Sequence, residues 1–202
     1  MKKILILNCL ILFFTITVHA QEKIETPVWN IEDKWNFKGR ATMMVVNADG
    51  NTYTIKSGTS IYIYDKSSLN ILYSIEGDKR KEYKGSRKRL LNFPLDIGKS
   101  WGKDRFVSRA TRGTNLASPE NIYYETYTVL GWEDIMVEAG KFNTVKIEYR
   151  QEGIGESGRN WVGKAWYWYS PEAKYFVKLI HEDNPVWIGI YGWELTSFAL
   201  KK

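Results

Sequence analysis

Only one histidine, His181, lies outside residues 1–20, and Glu182 and Asp183 follow it directly. Any Ser-His or zinc-dependent hydrolysis would have to use it. The chain's other histidine, His19, and its single cysteine, Cys9, both fall in an N-terminal apolar run. No Gly-x-Ser-x-Gly elbow is present, and one imidazole with carboxylates falls short of the Cys and His set that zinc usually takes. His181 therefore reads as a solvated strand end. Glycoside hydrolysis needs two carboxylates held about 5–10 Å apart across a cleft. The strand acids Glu125, Glu148 and Glu194 could pair in that way, but with 23 acidic residues in the chain such pairs also arise by chance. Glu133-Asp134, beside Trp132, reads as a solvated acidic pair at a bend. Asn47-Ala48-Asp49-Gly50-Asn51 is too short for a twelve-residue calcium loop and reads as a turn. The sequence thus assigns no catalytic residue, no metal and no cofactor.

Two denser features remain. "KRKEYKGSRKR", residues 79–89, holds seven basic residues in eleven positions. It suits either an anionic envelope surface approached electrostatically or, as the reading preferred here, a solvated hairpin whose charges blunt an exposed sheet edge. "WVGKAWYWYS", residues 161–170, places Val162, Lys164, Trp166 and Trp168 on one face of a strand. Trp161, Gly163, Ala165, Tyr167 and Tyr169 take the other face. Large aromatics on both sides mean that one side fills a core while the other is covered, lines a cavity, or lies exposed. The expected ligand-binding residues are therefore Trp161, Trp166, Trp168, Tyr167 and Tyr169.

The elements that must position them are strands. Aromatics make up 15% of the chain, and aromatic and β-branched residues suit a pleated, half-buried surface. Candidate strands at 41–47, 51–57, 60–65 and 70–76 are separated by turn residues such as Asp49-Gly50-Asn51 and Ser57-Gly58. Further strands are expected at about 101–110, 121–132, 134–138, 142–151, 160–169, 174–182 and 186–199. In "FNTVKIEYR", Asn143, Val145, Ile147 and Tyr149 share one face, and Thr144, Lys146, Glu148 and Arg150 share the other. Ala139-Gly140 precedes it as a hairpin connection in which Gly140 takes a positive φ. "IEDKW" at 31–35 and "IGKSW" at 97–101 read as two strand starts, each anchored by a buried Trp. No window of helical length carries an apolar stripe at helical spacing. The expected fold is all-β: a single curved antiparallel sheet, half-barrel or barrel-like, around an aromatic-rich interior.

Met1-Lys2-Lys3, the apolar run from Ile4 to Val18 and the closing Val18-His19-Ala20 form the charged, apolar and small-residue regions of a secretory signal peptide. Residues 1–20 are expected to be removed, leaving 21–202 as one all-β domain. Loss of Lys2 and Lys3 takes the basic count from 29 to 27 against 23 acidic residues, a net charge of +4. The processed chain has no cysteine, so its core must hold it without disulfides. No later segment approaches the ~20 continuous apolar residues of a membrane-spanning helix.

Three segments, "FPLDIGKSW" (93–101), "VLGWEDIMVEAGKFNTVKIEYR" (129–150) and "WYWYSPEAKYFVKL" (166–179), together resemble a group of bacterial exported proteins of unknown function. The shared pattern is Pro-Leu-x-x-Gly-x-x-Trp, then Val-x-Gly-x-Glu-x-x-x-Val-x-Ala-Gly-x-Phe, then Trp-Tyr-x-Pro-x-x-x-x-x-Val-Lys. It spans roughly residues 93–180, with Trp132 at a variable position and Glu138 where Pro is common. The resemblance implies a curved antiparallel sheet similar to that of the periplasmic lipoprotein carriers. It brings no catalytic residues.

The expected role is non-catalytic binding of an apolar or amphipathic envelope component, in the periplasm or after secretion, with no nucleic-acid partner. A carbohydrate-binding module is the alternative, and a hydrolase comes third. Exported protein is expected to begin at Gln21 and to carry no lipid. Intact mass of that form is the check, and a retained Met1 or an added acyl mass would contradict it.

Overall fold

Short strands with period-two burial and two-residue turns can pair only with their sequence neighbours, and the chain builds most of its sheet in that way. The structure, a computed structural model, describes residues 23–83, 89–109, 120–154, 160–182 and 192–202. The expected signal peptide, residues 84–88 of the basic run, and Asp183 lie outside the described residues. The strands are β1 (Lys34–Lys38), β2 (Met43–Asp49), β3 (Thr52–Ser57), β4 (Ser60–Asp65), β5 (Ile71–Glu76), β6 (Lys79–Glu82), β7 (Ser100–Arg109), β8 (Glu120–Val137), β9 (Gly140–Ile154), β10 (Asn160–Ser170), β11 (Tyr175–His181) and β12 (Trp193–Ala199). They form one antiparallel sheet in the order β6-β5-β4-β3-β2-β1-β12-β11-β10-β9-β8-β7. Two meanders therefore meet at a single non-sequential pairing, β1 with β12, in which Trp35 lies opposite Phe198. The sheet does not close, and β6 and β7 are its edges.

In the first meander the connections β2–β3, β3–β4 and β5–β6 are two-residue loops opened by Gly50, Gly58 and Gly77. Their φ values of 48°, 60° and 55° match the turn that places glycine first and follows the strand twist. Edge strand β6 carries Lys79, Arg80, Lys81 and Glu82, all exposed. Charge along an unpaired edge discourages a second chain from adding to it.

The sheet curls. Tyr64 on β4 and Tyr167 on β10 line one cavity, yet six strand spacings separate β4 from β10. In a flat sheet that is ~29 Å. The concave face holds the core. Trp29 packs on Trp35, Tyr53 and Tyr64 with ring centroids 5.3–5.5 Å apart, and Tyr175 adjoins both tryptophans. Two carbonyls of the β10–β11 turn secure these indoles: Trp35 Nε1 donates to Ala173 O at 2.7 Å and Trp29 Nε1 to Lys174 O at 3.0 Å. The segment leading into β7 is held alongside, with Leu91 and Leu95 buried and Leu95 bridged to Ile24. Trp35 and Trp101 are both buried, as the two strand starts require.

The structure departs from the expected elements at β8. The separate strands expected at 121–132 and 134–138 are one strand, because a bulge between Val129 and Gly131 absorbs the irregularity without breaking the pairing to β9. Glu133 and Asp134 consequently occupy a strand, not a bend. Each is neutralised where it stands, Glu133 by Lys146 at 3.1 Å and Asp134 by Lys141 at 2.9 Å. The β8–β9 turn is Glu138-Ala139, and Gly140, with φ 128°, begins β9 opposite Val137. Ala139 N donates to Leu195 O at 3.1 Å, so this hairpin tip docks on β12.

Gly102, with φ 97°, sits at a second bulge, where an added Cβ would lie 2.6 Å from the Glu125 carbonyl oxygen; beside Gly140 nothing lies within 4 Å. Gly140→Ala should therefore cost on the order of 1 kcal/mol through backbone strain alone. Gly102→Ala should cost more, since strain and collision coincide. Urea unfolding of the two variants measures the order, and a milder effect at Gly102 would contradict this account.

Candidate functional site

Strand β10 has the two faces that its alternation requires. Tyr167, between Ile147 of β9 and Leu179 of β11, belongs to the concave face. Ala165, one step along, lies beside Tyr149, and the ladder continues through Tyr127, whose ring is 4.9 Å from Tyr149, to Trp101, stacked on Tyr127 at 5.5 Å. Trp161 meets Tyr123 on the same face at 6.3 Å. Trp166 and Trp168 take the convex face. Trp168 lies between Lys146 and Lys178 in register, with their ammonium groups 5.0 and 5.9 Å from its ring. Only 4% of it is exposed, so it offers no flat aromatic surface. Trp166, between Glu148 and Ile180, is half-buried.

The five aromatics proposed from sequence therefore do not form one site. Of them, only Tyr167 lines the cavity of about 590 Å³ at the concave face. Tyr169 lies in a second cavity of about 430 Å³ with Trp132 and Pro171; its hydroxyl is buried without a partner.

The larger cavity is walled by Tyr62 and Tyr64 from β4, Ile71 from β5, Tyr167 and Leu179 from β10 and β11, and Trp193 from β12, with Tyr175 beside them. Arg40 lines it from the β1–β2 loop. Gly39, with φ 82°, lets that loop approach the backbone of Gly192, where a Cβ would lie 2.9 Å from the Gly192 carbonyl oxygen. The Arg40 guanidinium lies among rings, its Cζ 5.0 Å from the centroid of Phe37, 5.1 Å from that of Trp193 and 5.6 Å from that of Tyr175. Its Nη2 lies 2.8 Å from Met43 Sδ and 3.5 Å from the Tyr175 hydroxyl.

Burial opposes the Arg40 charge, but the negative charge that Tyr175, Tyr64 and Tyr167 would carry if ionised and a hydrogen bond to Tyr175 outweigh it, so its pKa is raised; at neutral pH, where those tyrosines are un-ionised, an arginine is charged in any case. Burial pushes the hydroxyls of Tyr64, Tyr127, Tyr167 and Tyr169 above the ordinary tyrosine range. They remain neutral, as donors or acceptors. Nothing in the sequence marked Arg40, a lone basic residue in a short loop; apart from Phe37 and Met43, its surroundings come from strands far away in the chain.

The acids considered for hydrolysis are not assembled. Glu125 pairs in register with Gln151 on the concave face, whereas Glu148 is on the convex face, 3.4 Å from Lys164. Glu148 and Glu194 are three strands apart, ~14 Å across the sheet, which exceeds the carboxylate separation that glycoside hydrolysis uses. His181 lies opposite Ala165 with Nδ1 2.8 Å from the Glu182 carbonyl. Among the described residues no group of three His, Cys, Asp or Glu could hold a metal ion.

These features define an open antiparallel half-barrel with an aromatic concavity. No protein-family profile matches the chain and no curated protein matches it. Among solved structures, the hypothetical lipoprotein YmcC of Escherichia coli K12 is similar with a TM-score of 0.46 and 9% identity, over 87% of this chain and 91% of that one. A predicted lipoprotein of Parabacteroides distasonis gives 0.40 and 12%, over 89% and 100%. A predicted exported protein with a YmcC-like fold from Bacteroides fragilis gives 0.37 and 10%, over 89% and 99%. All three are described as lipoproteins or exported proteins.

The buried tyrosines carry a pH dependence. Their hydroxyls ionise near 10 when unfolded and above that in the fold. The stabilisation is therefore complete below pH ~10 and is lost as pH rises through the folded values. Tyrosinate absorbance followed together with near-ultraviolet circular dichroism should show a block of tyrosines that ionise only as the fold is lost.

Proposed function

We propose that this chain is an exported, non-catalytic binding protein that takes an apolar or amphipathic ligand of the cell envelope into the cavity between β3–β5 and β10–β12. The observation that carries this reading is the cavity itself, about 590 Å³ and walled by Tyr62, Tyr64, Ile71, Tyr167, Leu179 and Trp193. Its volume falls within the ~300–1,000 Å³ of small-molecule sites, and such sites are mostly apolar with a few placed polar groups. Export rests on the leader pattern of residues 1–20, with the periplasm or the exterior as the destination. A carbohydrate platform has less support, since Trp168 is covered by lysine side chains.

A fluorescent fatty-acid probe should bind the processed chain saturably. Ala41→Trp, at the cavity wall, should weaken that binding several-fold. Trp168→Ala, on the opposite face, should leave the affinity unchanged while costing ~3–5 kcal/mol of stability. The reading fails if no probe binds, or if the folded Trp168→Ala protein loses binding while Ala41→Trp retains it.

A further inference from the structure

We propose that Arg40 is the head-group site of this cavity, and that its ligand is an amphiphile with an anionic head, a carboxylate or a phosphate, and an apolar body. The inference rests on the binding reading above and adds the ligand's charge and orientation. Among the described residues Arg40 is the one wall residue ionised at neutral pH. Partly buried arginines are ordinarily paired with a carboxylate, yet among the described residues no acidic group lies within ion-pairing distance of Arg40.

The guanidinium geometry points the same way. Its Cζ lies over the Phe37, Trp193 and Tyr175 rings, 5.0, 5.1 and 5.6 Å from their centroids. Its five N–H donors lie in the plane of the group, and among the described residues only Nη2 meets protein partners, a thioether sulfur and a hydroxyl at the limit of hydrogen bonding, which leaves Nε and Nη1 without a partner among those residues. The rings thus surround the group while leaving donors open among the described residues, an arrangement that can receive a carboxylate or a phosphate. The neutral hydroxyls of Tyr64 and Tyr167 stand on the same wall and can donate to the same anion. Ile71, Leu90 and Leu179 remain for an apolar body.

Displacement of the fluorescent probe by dodecanoate, dodecanol, dodecyl phosphate and acetate tests the proposal on the processed chain. The wild type should bind dodecanoate or dodecyl phosphate at least about tenfold more tightly than dodecanol, and acetate should not compete. Arg40→Gln should lose the preference for either anion over the alcohol; Arg40→Lys should keep part of it. Equal affinity for dodecanol and both anions in the wild type would overturn the proposal while leaving the binding role intact. Competition by acetate at the concentrations where dodecanoate competes would overturn the amphiphile in favour of a small free anion. If Arg40→Gln fails to fold, Arg40→Lys decides: a folded lysine variant that discriminates as well as the wild type overturns the role of the planar fork, and a reduced preference supports it. Absence of binding by every compound removes the binding role and this site with it.

Discussion

Trp35 is where the two halves of the molecule are held together. Among the described strands its strand supplies the one strand pairing that is not between sequence neighbours, its ring is fully buried between Trp29 and Tyr175, and its indole N–H reaches Ala173 O. Each half alone is a six-stranded meander with one apolar face to hide. Hairpin pairing can build such a meander but cannot cover its face. Carbonyls in the β10–β11 turn accept from Trp29 and Trp35, so the N-terminal tryptophans are located by the C-terminal half, and an aromatic core forms between the two curled surfaces. Burial supplies most of the driving force, since a fully buried large aromatic removes 150–250 Å² from water. The indole hydrogen bonds add geometry, because a buried donor without a partner is costly.

That core is uneven, and the unevenness makes the site. Around Trp29, Trp35 and Tyr53 the rings interlock and the N-terminal segment lies over them. Towards the β1–β2 loop, Tyr64, Tyr167, Tyr175 and Trp193 surround a space with Arg40 at its wall. The same tyrosine, Tyr175, touches both regions. Cavity shape is therefore coupled to the seam that joins the meanders, and a change at the seam would be felt at Arg40.

The convex face is managed differently. Lys146 and Lys178 flank Trp168, and Lys146 also holds Glu133. Burial alone would raise the pKa of the Glu133 carboxyl, but hydrogen bonding and charge from Lys146 outweigh it and leave the group below its ordinary range. Long lysine stems can cover apolar surface while their ammonium groups stay in water, which lets an aromatic-rich strand have two buried faces in a sheet only one layer thick. The charged edge strand β6 serves a related end at the rim of an unclosed sheet.

Much of this was legible locally. Period-two alternation in 145–151 and 160–169 assigned residues to opposite faces, although the buried and wet sides it implied for Asn143 and Thr144 are reversed, Asn143 being exposed and Thr144 buried, and the glycines after short polar steps marked the hairpins. Trp35 and Trp101 could be recognised as anchors, and the resemblance over 93–180 implied a curved sheet. Strand alternation and turn chemistry depend on neighbours within a few residues, so sequence carries them. It did not carry the bulge that keeps β8 continuous through Glu133 and Asp134, because a bulge is decided by the register of the facing strand. Nor did it separate Tyr167 from Trp168 in role, since both faces of β10 are aromatic and only the curl of the sheet says which one is concave. Arg40 is the clearest case: its loop shows no motif, and the rings that hold it come from β1, β11 and β12. Local chemistry determined the strands and their faces, whereas the site depends on one long-range pairing that brings distant strands around the same few ångströms of space.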